Sequence, residues 1–446
     1  MKKISPTIQW LVFICAILLP FLVIRFFPEF HHPPDLRAFR AWGEAWKMDW
    51  HTVYINCKTC NYPFIGTLLS GGLMSTINYE NVARTINRFR YYLAIVDGLN
   101  IFIFYFILAR LQVRNAPLWA GVLGLLPSSW VSSSVWGQID GIGQLLILLF
   151  FAIFISFNAK PRPIWQTYIY FFVTGFLLSL MLLTKQLIYF SMGALGLILL
   201  VNMVRLSRNT SNFFLYALTS AAAFLLPAIA VDLNLKINPP YVSHLQYVLA
   251  TGSQHGDKIA SLGFNIWVFY TKDLLGSSHI PLQIGGLSFA PLTPFSGGYI
   301  LFGVLVVFLF SLFIINIRLQ NTETQAFNTQ QIATAFVFFS FINLAFNLTL
   351  TGTHERYLYY FYSFIIIACL ALMPYSRFFN KITLTVLLSG ALIYGVYLFV
   401  YLSGIVRVVD YLPIRIIATF HLGIFIYLLY LWIWNSIAQF SDTSLS

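Results

Sequence analysis

The stretch TLTGTHERYLYYFYSF, Thr349 to Phe364, sets His354, Glu355 and Arg356 side by side between two apolar runs. Arginine is suited to gripping a phosphate with two parallel hydrogen bonds. Three other polar sites stand in equally apolar surroundings: Asp35 in PPDLRAF, Gln138 and Asp140 in SSVWGQIDGIGQ, and Lys185 in LLTKQLIYF. An ionised group in hydrocarbon costs roughly 2.5 to 3.5 kcal/mol on insertion scales, so such residues mark function by default. Trp136, Asp140 and Gln144 are spaced i, i+4, i+8 and would share one helix face, while Gly137, Gly141 and Gly143 admit a backbone or ligand. In HERYLYYF, Arg356, Tyr359, Tyr360 and Ser363 share a face, which would flank the guanidinium with phenols.

Each of these residues also has a purely structural reading. Asp35 fits a helix N-cap after two prolines. Asp140 serves as readily to pair Arg356 or Lys185 as to hold a substrate, and Lys185 could snorkel from a helix end. His354 could be a satisfied edge histidine, and Glu355 fits a salt bridge better than chemistry. Tyr62, Trp136 and Trp267 could be interfacial belt aromatics.

The elements that must position them are membrane helices. Of 446 residues, 59% are hydrophobic and 9% charged, against about 25% charged in soluble domains. Windows long enough to span a bilayer fall at 9–27, 91–110, 116–132, 141–157, 165–183, 186–204, 213–231, 297–317, 331–350, 357–374, 383–403 and 411–435. No A-x-A-like cleavage site follows the first, so it reads as a retained helix. The net charge of +12 is scattered among short loops, which argues for positive-inside anchoring and against nucleic acid. Lys2, Lys3, Arg110, Arg114, Lys160, Arg162, Arg205, Arg208, Arg318, Arg377 and Lys381 mark the cytoplasmic side. Of the 14 acidic residues only Glu323 and Asp442 fall on that side, so chemistry is expected on the outer face. Alternation of the spans puts all four polar sites there.

Two outer segments, 28–90 and 232–296, are far longer than the rest, and segments of that length are usually functional or disordered. In the first, Leu36, Phe39, Gly43, Trp46 and Trp50 recur at helical spacing, which predicts an amphipathic helix in the membrane interface, opened by Pro33-Pro34. In the second, PPYVSHLQYVLATG and SLGFNIWVFYTKD predict short interfacial helices. Cys15 and Cys369 lie within spans. Cys57 and Cys60 form a single C-x-x-C, for which a loop-stapling disulfide fits better than zinc or redox catalysis. No internal repeat or soluble domain is visible; residues 1–446 read as one transmembrane domain.

In this order, Asp35 in PPDLRAFRAW, Tyr62-Pro63 in CNYPFIGTLL, WGQID from Trp136 to Asp140, Lys185 in LTKQ, Asn265 and Trp267 in GFNIW, and HERYLYYF resemble the GT-C glycosyltransferases. The likeness is to bacterial proteins related to the glycosylphosphatidylinositol second mannosyltransferase, over roughly residues 30 to 375. Each motif alone is short; their order, spacing and shared side make the set specific. The resemblance implies an all-α polytopic GT-C fold of about twelve membrane helices, with two long outer loops containing interfacial helices. It further implies a hexosyltransferase, of mannosyltransferase type, that takes its sugar from a polyprenyl-phosphate donor on the outer leaflet and passes it to a lipid-linked or cell-surface glycan. The family's catalytic acid, in its first outer loop, corresponds to Asp35. One departure is Asn61-Tyr62-Pro63-Phe64 beside a C-x-x-C, where many relatives have an acidic residue and paired prolines; this bears on the acceptor rather than on the chemistry.

Sugar transfer from a phosphate needs a base for the acceptor hydroxyl, worth about 10² to 10⁴-fold, and groups that stabilise the departing phosphate, worth about 10² to 10³-fold each. Asp35 is the base candidate, with Arg356, Lys185 and His354 on the phosphate and Trp136, Gln138, Asp140, Glu355 and Tyr62 as further substrate-binding candidates. A single base favours inversion, although Asp140 and Glu355 keep retention open. Asp35, Asp140, Glu355 and His354 could build a divalent site, but nothing in their spacing requires one. Neither metal nor cofactor is expected beyond the lipid-phosphate sugar itself. The main rival is a polytopic transporter or flippase of lipid-linked or small polar substrates; a ligase moving a preassembled glycan and a non-catalytic assembly factor are others. No N-x-S/T sequon falls in the outer loops, which leans toward a bacterial plasma membrane.

Overall fold

The computed structural model describes residues 4–444 apart from 58, 78–81, 161, 253–256, 261–262, 272, 285–286, 289–290, 321–326 and 405–410. Lys2, Lys3 and Glu323, used above to assign the cytoplasmic side, lie outside the described residues. The chain divides into two compact units, Met1–Thr251 with 325–327, and Gly252–Thr324 with Asn328–Ser446.

The first unit contains α1 (Pro6–Phe26), α2 (Pro33–Met48), the short α3 (Val53–Asn56), α4 (Phe64–Thr67) and α5 (Leu73–Ser75), then α6 (Val82–Arg110), α7 (Ala116–Leu125), α8 (Asp140–Asn158), α9 (Ile164–Leu182), α10 (Ile188–Leu206), α11 (Thr210–Asn234) and α12 (His244–Gly252). The second contains α13 (Pro294–Leu319), α14 (Thr329–Thr349), a 3-10 turn at Glu355–Leu358, α15 (Tyr359–Leu372), α16 (Lys381–Leu402) and α17 (Tyr411–Ser444). Among the described residues, eleven helices are long and apolar enough to cross a membrane. They match eleven of the twelve expected windows.

The exception is the window at 116–132. Its α-helix ends at Leu125, and ten residues at 1.5 Å each reach only about half the hydrocarbon thickness. A 3-10 turn at Pro127–Ser129 and a π-turn at Val131–Val135 follow. Irregular backbone among membrane helices persists only where protein or a polar cavity surrounds it, and Ser132, Ser133, Ser134 and Val135 are fully buried. This break delivers WGQID to the site.

Polar side chains set several helix starts. Asn209 accepts a hydrogen bond from the Asn212 N–H, while Thr293–Ser296 and Asn328–Gln331 form reciprocal capping boxes, satisfying N–H groups that helices leave unpaired. In the second unit every residue of the α14 span window is buried, and α15 lies beside it with 89% of its window buried. These two helices, buried on nearly all sides, are the unit's core. α13 shows the opposite, with only 28% of its window buried.

α2 is the amphipathic helix expected after Pro33-Pro34. Its buried residues are Leu36, Phe39, Trp42, Gly43 and Ala45, and all but Gly43 pack with Tyr54, Cys57, Cys60, Tyr62 and Phe89 in a cluster within the chain. Trp42 therefore belongs to the seam, whereas Trp50 is exposed and Trp46 only half-buried. Cys57 and Cys60 are joined by a disulfide, as the lone C-x-x-C suggested. In the second outer segment the described residues form α12, a 3-10 turn at Ile266–Phe269 and a two-residue antiparallel pair, Gln283–Ile284 with Leu287–Ser288.

Candidate active site

Asp35 sits in the first turn of α2, where His32 rather than Asp35 holds the N-cap position. The carboxylate reaches across 101 residues of sequence: its Oδ2 accepts hydrogen bonds from Trp136 Nε1 at 2.8 Å and from Gln138 Nε2 at 2.5 Å. His32 Nδ1 lies 2.9 Å from the same oxygen. The His32 ring stands 4.9 Å from the Trp136 ring, and its backbone N–H donates to the Trp136 carbonyl at 3.2 Å. Asp35 retains 24% exposure, so it is held firmly yet reachable.

Gly137 makes this geometry possible and overturns the expected shared helix face of Trp136, Asp140 and Gln144. Its φ of +92° is open to glycine at little cost and to few other residues, and it ends the π-turn before α8 begins at Asp140. Trp136 and Asp140 thus point to different partners. A Cβ on Gly137 would also press into Leu36 of α2, at 2.7 Å from Cδ2.

Gln138, 1% exposed, joins the two ends of the network. Its Oε1 accepts from Tyr62 Oη at 2.7 Å and from Lys185 Nζ at 3.1 Å. Because an ammonium only donates, the atom facing Lys185 must be the amide oxygen, which turns the NH₂ toward Asp35. Lys185 Nζ also donates to Asp140 Oδ1 at 2.5 Å and stands 5.2 Å from the Tyr62 ring centroid. Asp140 Oδ2 accepts from Ser132 Oγ at 2.9 Å. Asp140 and Lys185 are 0% and 4% exposed, so Lys185 does not snorkel. Tyr62 arrives through Gly66, whose N–H donates to the Leu183 carbonyl at 3.0 Å and where any Cβ would overlap the Thr184 carbonyl.

Six of the nine candidate residues, Asp35, Tyr62, Trp136, Gln138, Asp140 and Lys185, therefore form one bonded network. The other three lie in the second unit. There Glu355 is 1% exposed, with Arg356 Nη1 at 3.5 Å and His354 Nδ1 at 3.8 Å from its two oxygens. The preceding turn is braced by the GFNIW segment. Asn265 Nδ2 donates to Thr353 Oγ1 at 3.1 Å, and Trp267 Nε1 to the Thr349 carbonyl at 2.6 Å. Tyr359 and Tyr360 are buried, at 1% and 0%. Among the described residues no group of three or more His, Cys, Asp and Glu is arranged to hold a metal ion.

Three buried polar residues of α6 escaped the sequence reading. Arg90 donates from Nε to the Ser134 carbonyl at 3.2 Å, from Nη1 to the Pro28 carbonyl at 2.8 Å and from Nη2 to the Phe30 carbonyl at 2.8 Å. Asn100 Nδ2 donates to the Gly141 carbonyl at 3.0 Å. Asp97 lies against Gly141 and is 3% exposed; it sits in mid-helix, not on the outer face to which the acids were assigned. Positions 90, 97 and 100 share one helix face, a polar stripe in an apolar span that was visible in the sequence. The window drawn at 91–110 began one residue too late to include Arg90.

No protein-family model matches the chain, and no curated protein sequence does. Among solved structures, a match of 14% identity covers 97% of this chain and 78% of the other with a TM-score of 0.49: the crystal structure of ArnT from Cupriavidus metallidurans bound to undecaprenyl phosphate. Similarity at that level decides neither function nor family.

Proposed function

We propose that the protein is a multi-pass membrane glycosyltransferase of the GT-C kind. In this reading it transfers a hexose, mannose, from a polyprenyl-phosphate donor to a lipid-linked or cell-surface glycan on the outer face of the cell membrane. The observation that carries the reading is the Asp35 carboxylate, partly exposed and gripped on one oxygen by Trp136 and Gln138. Both donors come from the WGQID motif, more than 100 residues along the chain from Asp35.

The chemistry follows from the groups present. The acceptor oxygen attacks the sugar C1 while the C1–O bond to the phosphate breaks, its electron pair passing to the phosphate oxygen. The acceptor's hydroxyl proton goes to Asp35. A fixed carboxylate contributes about 10² to 10⁴-fold to such a step. Arg356, with His354 beside it, is assigned the donor phosphate, for which a planar fork is suited. Lys185 is reassigned: its ammonium is met by Asp140, Gln138 and the Tyr62 ring, so it orients Gln138 and through it Asp35. Gln138 links the two ends of the network, its NH₂ on Asp35 and its oxygen toward Lys185 and Tyr62.

One observation favours the rival transporter reading, since the interrupted helix at 126–139 and the buried Asp97 resemble features that mark transport sites. Purified protein in liposomes, given radiolabelled mannosyl polyprenyl phosphate and lipid extracts as acceptors, separates the two. Labelled glycolipid and free polyprenyl phosphate are expected. Label that crosses the bilayer with its sugar–phosphate bond intact would contradict the proposal.

A further inference from the structure

Arg90 is 0% exposed and its hydrogen bonds run to neutral acceptors: the carbonyls of Pro28, Phe30 and Ser134, and Asn87 Oδ1 at 3.1 Å. A buried guanidinium is costly, and one committed to loop carbonyls needs a reason. Its partners are informative. Pro28 and Phe30 immediately precede the turn that carries His32 and Asp35. Ser134 lies two residues before Trp136 and four before Gln138, the donors to Asp35. The planar fork thus ties together the two backbone segments whose side chains meet at the carboxylate. Its charge is felt in the clamped loop as well: burial, first, pushes the His31 imidazole below its ordinary pKa of 6.5, and Arg90 adds to that depression.

We propose that Arg90 is a positioning residue that sets Asp35 against Trp136 and Gln138 by clamping residues 28–30 to residue 134. This rests on the reading of Asp35 as the base. Lysine cannot replace it, because an ammonium lacks the planar fork needed to serve Nε, Nη1 and Nη2 partners together. A displacement of about 1 Å at a reacting group can cost about 10²-fold in rate.

The test uses the full-length protein and radiolabelled mannosyl polyprenyl phosphate. Arg90→Lys is expected to lower kcat by about 10- to 100-fold with KM within about threefold. In Arg90→Ala, millimolar guanidinium should restore part of kcat. The decisive comparison is the double variant. If Arg90 acts through Asp35, adding Arg90→Lys to Asp35→Asn changes residual turnover by less than about twofold. Full turnover in Arg90→Lys, or a loss that multiplies undiminished on the Asp35→Asn background, overturns the inference alone. Wild-type turnover in Asp35→Asn overturns the functional reading and this inference with it. Should Arg90→Ala fail to fold, the Arg90→Lys and double-variant results still decide.

Discussion

Asp35 and Asp140 are carboxylates joined through Gln138 and Lys185, yet their surroundings differ in kind. Asp35 is 24% exposed and receives hydrogen bonds from an indole and an amide. Asp140 is fully buried and paired with an ammonium and a serine hydroxyl. Asp35 keeps contact with solvent while Trp136, Gln138 and His32 crowd one of its oxygens, whereas Asp140 is sealed against a buried lysine. The contrast separates a carboxylate that solvent and substrate can reach from one that is locked into the scaffold. It also moves Lys185 from the phosphate, where its sequence context first placed it, to the support of Gln138.

The comparison can be broken at its ends. The largest effect is expected at the exposed end: Asp35→Asn should lower turnover by about 10² to 10⁴-fold while donor binding and melting temperature stay near wild type. Arg356→Ala should weaken donor binding by about 10- to 100-fold, as loss of charge-assisted hydrogen bonds implies, and turnover with it. Arg356→Lys should recover only part of the affinity. Equilibrium binding of the labelled donor reads both variants.

At the buried end the effect should be on stability. Removing one member of a buried ion pair costs about 3 to 5 kcal/mol because the other charge is left unpaired. Lys185→Met and Asp140→Asn should each lower the melting temperature sharply, and the double variant should regain much of the loss. Losses that simply add would show that the two charges are not coupled. Tyr62→Phe removes one neutral hydrogen bond to Gln138, worth about 1 kcal/mol, and should reduce turnover about fivefold. The smallest effect is expected at Cys57 and Cys60. A bridge closing so short a loop removes little unfolded-state entropy, so serine at both should leave more than about half the activity.

The sequence revealed the membrane spans because an apolar run of fixed length is a one-dimensional signal. It did not reveal the break after Leu125, where apolar residues continue through turns that only surrounding protein can satisfy. Likewise, α2 was legible as amphipathic, but hydrophobicity alone does not say whether such a face meets lipid or Tyr62 and Phe89. The polar residues of the site stood out against their apolar flanks, while their partners did not. Nothing in WGQID announces that Gly137 turns Trp136 toward Asp35 and leaves Asp140 to Lys185. Arg90 was missed for a simpler reason. Hydropathy places a helix end where charge begins, and here the helix continues because its charge is met by carbonyls of the chain.

The most direct measurement sets the two carboxylates side by side. Asp35→Asn and Asp140→Asn would be assayed together for single-turnover sugar transfer, donor binding and thermal unfolding. The account predicts that Asp35→Asn binds donor and unfolds like the wild type but transfers about 10² to 10⁴-fold more slowly, whereas Asp140→Asn is destabilised and its surviving folded fraction still transfers. Wild-type transfer by Asp35→Asn, or a stable Asp140→Asn protein that binds donor and cannot transfer, would contradict it.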